Sequence, residues 1–93
     1  MNEKSLLTIV MPAYNEAENL VAILPPLLEY CRQRNWKIIL VNDGSLDKPK
    51  EIVVPFEGTD DFIVLHHKLN KGYGAAIKTG IQACDTTYVI TID

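Results

Sequence analysis

Four short apolar runs recur along the chain, and each is bounded by polar or turn-forming residues. They are rich in β-branched residues and nearly continuous, which is typical of strands covered on both faces in a parallel sheet. The runs are LLTIVM at 6–11, KIILVN at 37–42, FIVLHH at 62–67 and YVITID at 88–93. The hydrophobic pattern therefore predicts four parallel β-strands.

Two stretches between these runs, 17–33 and 73–84, have apolar residues at helical spacing. The apolar stripe of the first consists of Leu20, Ile23, Leu24, Leu27, Leu28 and Cys31. The stripe of the second consists of Ala76, Ile77, Ile81 and Cys84. The spacing predicts two amphipathic helices, each with one face on the sheet.

Two parts of the helical pattern are less regular. Pro25-Pro26 fall inside the first stretch, where each ring removes a backbone donor, so we expect a kink or a helix restart near Leu24. The alternative is that 17–24 is not helical. In the connection 45–61, the segment DKPKEIVV predicts a short helix with Asp47 as its N-cap.

The order β-α-β-α-β-α-β predicts an α/β fold with a Rossmann-like open parallel sheet.

Composition narrows the classes of partner and compartment. The chain has 93 residues, 47% of them hydrophobic, which indicates one globular domain or part of one. Its net charge is −3 and it carries no basic stripe, so we expect no nucleic-acid partner. Cys31 and Cys84 lack metal-site spacing and predict free thiols in a reducing compartment. Without a long apolar run we expect a cytoplasmic protein, with any membrane association supplied by a partner or by further sequence.

Polar segments follow the carboxyl ends of the predicted strands, where open parallel sheets bind their ligands. The segment PAYNE, after the first strand, places Pro12, Tyr14 and Glu16 at this edge. Tyr14 offers an aromatic face for a nucleobase, and Glu16 can accept a hydrogen bond. The alternative is structural, with Asn15 or Glu16 capping the next helix and Tyr14 packing over it.

The segment NDGS follows the second strand. Asp43 is an acceptor when ionised and suits the N–H edge of a pyrimidine or of guanine. Gly44 allows a turn with positive φ, and the alternative is that DGS is only a turn.

The segment NKGYGAAIKTG follows the third strand and leads into the second helical stretch. Gly72 lets the backbone approach a ligand, the helix start favours anionic oxygens, and Lys71 and Lys78 add positive charge. Just before it, His66 and His67 point to opposite faces of a strand. We therefore expect at least one of them to be solvated and do not expect a shared metal site.

Together these segments resemble the N-terminal half of a family 2 glycosyltransferase of the GT-A fold, and most of all the polyprenyl- or dolichyl-phosphate sugar synthases. The matching segments are IVMPAYNEAENL, ILVNDGSLDK, NKGYGAAIKTGI and YVITID, which cover nearly the whole chain. The expected strand order is 3-2-1-4. The resemblance implies an inverting enzyme that transfers a sugar from a UDP- or GDP-sugar to an acceptor such as a polyprenyl phosphate. It also implies that 1–93 is a truncated nucleotide-binding domain without turnover of its own.

The resemblance also implies roles for matching residues. Those that would line the base and ribose pocket are Pro12, Ala13, Tyr14 and Glu16. Asp43 would read the base edge, and Gly72 with Lys78 would shape the pocket floor. Asp93 would be the first carboxylate of an Asp-x-Asp motif, bonding the ribose or approaching a divalent metal, Mg²⁺ or Mn²⁺. Asn42 departs from the pattern, since such enzymes commonly have a second acid there, and this puts the strength of base binding in doubt.

Two other functions are compatible with a parallel α/β sheet. One is a non-enzymatic binding module, receiver-like or flavodoxin-like; a receiver would use Asp43 as phosphoacceptor but would need an acid pair where MPAYNE stands. The other is a nucleotidylyltransferase, which would need a glycine- and arginine-rich loop where PAYNEAENL stands.

The fourth strand carries one further expectation. A sheet that ends at this strand leaves one side of its backbone unpaired, and exposed strand edges recruit other chains. We therefore expect self-association through this edge.

Overall fold

The computed structural model describes residues 5–44, 59 and 61–92. Within these, the elements in chain order are β1 (Leu7–Ala13), α1 (Ala17–Gln33), β2 (Lys37–Asp43), β3 (Phe62–His67), α2 (Tyr73–Gln82) and β4 (Tyr88–Thr91). The short helix predicted within 45–61 lies outside the described residues. The other predicted strands and helices are present close to their predicted bounds.

The four strands form one parallel sheet with the order β3-β2-β1-β4. This confirms the predicted Rossmann-like α/β fold and its strand order. Both central strands are buried, and alternate residues along them face two different apolar clusters. Ile38 and Leu40 of β2 belong to the cluster beneath α1, whereas Ile39 and Val41 belong to the cluster beneath α2. The sheet is therefore covered by a helix on each face.

Helix α1 runs without interruption through Pro25 and Pro26, so the helix does not restart near Leu24 and the alternative that 17–24 is not helical is wrong. A kink at this point stays a prediction. Both prolines are exposed, and so are Val21 and Ala22, whose carbonyl groups lose their helical donors. Water can satisfy carbonyl groups on this outer face. On the inner face, buried side chains fix the helix to the sheet; they are Leu20, Leu24, Leu28 and Cys31. Ile23 was expected in the same stripe but is 45% exposed.

Helix α2 lies very close to the sheet. A Cβ atom placed on Gly80 would be 2.4 Å from Cγ1 of Val10, so only glycine fits there without displacement. Ala76 is completely buried, one turn earlier on the same face. Ile81, by contrast, is 46% exposed, which corrects the predicted stripe.

Strand β4 differs from the prediction that all four strands are covered on both faces. Tyr88 is 65% exposed and Ile90 is 44% exposed. The strand pairs only with β1 among the described elements, so it lies at an edge of the described sheet. The prediction of full coverage is correct for β1 and β2 and wrong for β4.

Both cysteines are free thiols, as predicted. Cys31 is buried on the face of α1 that packs against the sheet, and Cys84 is half-buried beside α2. Burial raises the pKa of both thiols, and they pack as small apolar side chains.

Candidate nucleotide-binding site

A pocket of about 340 Å³ opens at the carboxyl ends of β1 and β2, beside the start of α2. Its lining residues are Pro12, Ala13, Tyr14, Glu16, Asp43, Asn70, Tyr73 and Ala76. They come from three segments that are far apart in sequence. The parallel sheet brings these segments together because strands of one direction end at the same edge.

The first segment follows β1 and supplies half of the lining. Ala13 is buried at the end of the strand, and Tyr14 is 42% exposed at the pocket rim. Asn15 has a positive φ of 54°, which turns the chain between strand and helix. Glu16 occupies the N-cap position of α1 but makes no side-chain cap hydrogen bond; its Oε2 instead accepts from Nδ2 of Asn19 at 2.6 Å.

Asp43, at the end of β2, holds the second and third segments together. Its Oδ1 accepts from Nδ1 of His67 at 2.6 Å and from the backbone N–H of Lys71 at 3.0 Å. Its Oδ2 accepts from the backbone N–H of Gly72 at 2.9 Å. A carboxylate has about four acceptor positions, so among the described residues one position on Oδ2 is left.

Asp43 is ionised although only 4% of its side chain is exposed. Burial by itself would raise the pKa of this carboxyl group. The hydrogen bonds from His67 and from the N–H groups of Lys71 and Gly72 outweigh burial, and the pKa lies below its ordinary value. The site therefore holds a fixed negative charge at its base.

Gly44 brings the loop after β3 directly against the end of β2. It has φ 69°, as predicted, and a Cβ atom at this position would lie 2.3 Å from the backbone nitrogen of Asn70. Nδ2 of Asn70 donates to the carbonyl oxygen of Asp43 at 3.3 Å. The turn thus has a packing role as well as a conformational one, since no side chain fits between the two backbones.

Gly72 starts α2 with φ 98°, and its carbonyl oxygen accepts from the N–H of Ala76 at 3.1 Å. Glycine has no side chain, so Gly72 makes no side-chain cap for the helix. The N-terminal end of α2 borders the pocket through Tyr73 and Ala76. Helix N-termini favour anionic groups. Gly72 itself touches the site through Asp43 rather than as a lining residue.

Of the predicted site residues that the structure describes, Lys78 is not brought into the pocket. Lys78 is exposed on α2 and does not line it. Asp93 lies outside the described residues. Within the described part of the chain, no three His, Cys, Asp or Glu side chains come together as a metal site, and Asp43 is already committed to hydrogen bonds. The described residues therefore do not make a metal site by themselves.

Asn42, which stands where similar enzymes commonly have an acid, does not line the pocket. Nδ2 of Asn42 lies 3.1 Å from Nδ1 of His66, its register partner on β3. Side chains alternate along a strand, so this pair lies on the sheet face opposite to Asp43 and His67. His66 is exposed, which agrees with the expectation that one of the two histidines is solvated.

The comparison with protein families fits this geometry. The model of "Glycosyl transferase family 2" matches residues 8–93. The chain belongs to glycosyl transferase family 2. The predicted family is confirmed, and the receiver-like, flavodoxin-like and nucleotidylyltransferase alternatives are set aside.

Three relatives of this family 2 chain show what kinds of enzyme it is similar to. A dolichyl-phosphate beta-glucosyltransferase ALG5A of Trichomonas vaginalis is 36% identical over 94% of this chain and 29% of the relative. An undecaprenyl-phosphate 4-deoxy-4-formamido-L-arabinose transferase of Pectobacterium carotovorum is 37% identical over 92% of this chain and 28% of the relative. The corresponding transferase of Pseudomonas fluorescens is 38% identical over 92% of this chain and 26% of the relative. The chain thus spans less than a third of these relatives.

Sequence reasoning missed three residues of this family 2 site. Asn70 and Tyr73 flank the predicted Gly72 and line the pocket, and His67 binds Asp43 from below. The alternation of side chains along β3 indicated that His66 and His67 face opposite sides of the sheet, which was the available signal for His67.

Among the described residues, no helix is long and apolar enough to cross a bilayer.

Proposed function

We propose that this chain is the nucleotide-sugar-binding portion of an inverting glycosyltransferase that uses a UDP- or GDP-sugar. The observation that carries the proposal is the pocket that joins Tyr14, Glu16 and Asp43 at the carboxyl edge of a family 2 sheet. An aromatic ring, a buried carboxylate and a helix N-terminus are the groups that a nucleoside diphosphate requires: a stacking face, an acceptor for the base, and a favourable end for anionic oxygens.

Each pocket residue has a role in this proposal. The ring of Tyr14 stacks against the base, and the remaining acceptor position on Oδ2 of Asp43 receives a base N–H. Pro12 and Ala13 shape the wall, and Glu16 accepts from the ribose. Gly72 keeps the floor of the pocket open by allowing the backbone turn. Lys78, which is exposed, would act on the diphosphate from outside the pocket.

The reaction proposed for the whole enzyme breaks the bond between the anomeric carbon and the diphosphate while the acceptor oxygen attacks from the opposite face. Negative charge develops on the departing diphosphate. Members of the family generally use a divalent metal, which stabilises such charge without needing a proton. We propose that Asp93 contributes to holding Mg²⁺ or Mn²⁺ together with residues outside the described part. None of the roles given to the pocket residues depends on the metal.

Asp93 follows the fourth apolar run directly. We propose that it is the first carboxylate of an Asp-x-Asp motif, and that residues 1–93 are the nucleotide-binding part of a longer domain. The proposal requires an acidic residue within two positions after Asp93 in the encoded protein. In an enzyme of this kind the acceptor site lies elsewhere, so we do not expect this portion to turn over substrate alone.

The names of the relatives support a lipid phosphate as the acceptor, since they refer to dolichyl phosphate and undecaprenyl phosphate. A polyprenyl phosphate is already anionic, so its oxygen can attack with little help from a general base. The proposed site of action is the cytoplasmic face of a membrane, where a nucleotide-sugar and a lipid phosphate meet. Self-association through the edge of β4 is part of the same proposal.

The test is a titration of the chain with UDP and with GDP, each with and without Mn²⁺, followed by NMR. We expect chemical-shift changes centred on 12–16, 42–44 and 70–78. Tyr14→Ala should weaken binding by about 1–3 kcal/mol, the usual contribution of an aromatic ring stacked on a base. Tyr88→Ala is the matched control, because Tyr88 is exposed on β4 and does not line the pocket. No shift at millimolar nucleotide, or equal effects of the two tyrosine variants, would contradict the proposal.

A further inference from the structure

His67 is a nearly buried polar side chain that the proposed function does not use. Only 8% of its side chain is exposed, at the end of β3. Its Nδ1 lies 2.6 Å from Oδ1 of Asp43, and its Nε2 lies 2.9 Å from Oγ1 of Thr79 on α2. Both ring nitrogens are therefore engaged, and the ring connects β2, β3 and α2 beneath the pocket.

We propose that His67 is a positioning residue for nucleotide recognition, which turns the carboxylate of Asp43 so that Oδ2 faces the pocket. This inference rests on the proposed function. His67 lies outside the pocket lining and acts through Asp43. The chemical class of ligand is a nucleoside diphosphate with an N–H donor on its base.

The hydrogen-bond directions follow from the chemistry of the two groups. An ionised carboxylate only accepts, so Nδ1 of His67 carries the proton and donates to Oδ1 of Asp43. In the neutral ring Nε2 then accepts from the hydroxyl of Thr79. The hydroxyl of Thr79 can donate or accept, so it adapts to the tautomer that Asp43 requires, and the ring has one orientation in which both bonds form.

The two oxygens of Asp43 are not equivalent in this arrangement. Oδ1 receives two donors, His67 and the N–H of Lys71, and is fully occupied. Oδ2 receives only the N–H of Gly72 and keeps an acceptor position. Without the imidazole, rotation about the Cβ–Cγ bond of Asp43 is restrained only by two loop N–H groups. The ring therefore defines which oxygen is presented to a base.

In the described part of the chain, two side chains are hydrogen-bonded to the ring of His67. Asp43 approaches from β2, Thr79 approaches from α2, and Lys71 contributes only its backbone N–H. The adjacent His66 lies on the other sheet face, with Asn42. This separation supplies a matched control, since His66→Ala removes a histidine one residue away without touching Asp43.

The test compares His67→Ala, His67→Asn, Thr79→Val and His66→Ala in the 93-residue chain. Two quantities are measured: the affinity for whichever of UDP and GDP binds the wild type, and the pH titration of the Asp43 carboxyl carbon by ¹³C NMR. Dispersed backbone spectra establish that each variant is folded. Asparagine places an amide N–H near the position of Nδ1, so it keeps the bond to Asp43 and loses the one to Thr79.

We expect His67→Ala to weaken nucleotide binding roughly tenfold, the usual effect of losing one hydrogen bond to a charged group. The titration midpoint of Asp43 should rise in this variant, because one donor to its ionised form is lost. His67→Asn should restore most of the affinity and most of the midpoint shift. Thr79→Val should have a smaller effect in the same direction, and His66→Ala should match the wild type.

Unchanged affinity in a folded His67→Ala chain would overturn the inference and leave the proposed function standing. An equal loss in His67→Asn and His67→Ala would also overturn it, because it would indicate a structural role of the ring. Failure of the wild type to bind either nucleotide would overturn the proposed function and the binding part of this inference together. The Asp43 titration would then still decide whether His67 holds the carboxylate.

Discussion

The carboxylate of Asp43 is the residue on which the candidate site depends. A buried charge is tolerated only when it is paired or fully hydrogen-bonded, and three N–H groups from two segments surround this one. Those same bonds fix the loop before α2 against the end of β2. The proposed ligand recognition and the local stability therefore share one side chain, and a substitution of Asp43 should affect both.

The lowered pKa of Asp43 predicts how stability depends on pH. Its folded-state pKa lies below the ordinary value of 3.8. The stabilisation is therefore complete above the pKa of the unfolded chain and is lost as the pH falls through the folded-state pKa. In Asp43→Asn, the free energy of unfolding should decrease less between about pH 6 and pH 2 than in the wild type. Urea unfolding at a series of pH values measures this.

Asp61→Asn is the comparison for that experiment. The pKa of Asp61 is also lowered, since the hydrogen bond from Arg32 and other donors outweigh the burial of the carboxyl group. Its salt bridge is partly exposed, with 40% of the Arg32 side chain accessible, so it contributes less to stability. If Asp43→Asn and the wild type lose stability equally on acidification, the hydrogen bonds of Asp43 do not hold its charge as described.

Position in the sequence was sufficient to place Asp43 and Tyr14 in one pocket, because each lies at the end of a buried strand and the carboxyl ends of parallel strands meet. Their roles stay predictions. Position in the sequence was not sufficient for His67. Which of two neighbouring histidines faces α2 depends on the register of β3 against β2, in which Asp43 pairs with His67. Register is set by packing across the sheet, and an apolar run such as FIVLHH does not specify it.

At the scale of elements, the close contact between α2 and the sheet fixes the position of the start of α2 relative to the strand ends that line the pocket. Gly80 lies against Val10 of β1 and Val41 of β2, near the middle of the sheet. The helix that begins at Gly72 is thereby held at a fixed distance from the strands whose ends form the pocket. The glycines of NKGYGAAIKTG serve two purposes, since Gly72 allows a turn and Gly80 allows packing.

Gly80→Ala should destabilise the chain by about 1–3 kcal/mol, since the new methyl group meets a packed valine. Gly74→Ala is the matched control: it changes the same helix, but no atom lies within 4 Å of the added Cβ. It should be neutral or stabilising by up to about 1 kcal/mol, because alanine favours helix. Thermal and urea unfolding of both variants measures the difference. Equal effects would mean that α2 does not lie as close to the sheet as the structure shows.

The order of elements was predictable because apolar runs and helical stripes alternate clearly along this chain. The continuity of α1 was not predictable, because the cost of a proline in a helix depends on where the carbonyl groups that lose their donors point. At Val21 and Ala22 these carbonyl groups lie on the exposed face of the helix. The coverage of β4 was also mispredicted. An apolar run such as YVITID fits a buried strand, yet Tyr88 and Ile90 are exposed at the sheet edge.

At the scale of the whole molecule, β4 presents apolar side chains and, within the described part of the sheet, an unpaired backbone edge. Among the described elements it pairs only with β1, so alternate backbone N–H and C=O groups of Tyr88–Thr91 point away from the sheet. The relatives are more than three times as long as the part matched here, and an enzyme of that length has further chain to place beside this edge. We propose that a second copy of the chain pairs with this edge.

Self-association is therefore expected to depend on concentration and on β4. Ile90→Lys should shift a dimer towards monomer, because it places a charge on the exposed face of the edge strand, where charged side chains oppose strand pairing. Val21→Lys is the matched control, since Val21 is 59% exposed on α1, away from the edge. Sedimentation equilibrium across a wide concentration range measures all three chains. A wild type that stays monomeric at the highest concentration contradicts the prediction, and so does an equal response to the two lysine substitutions.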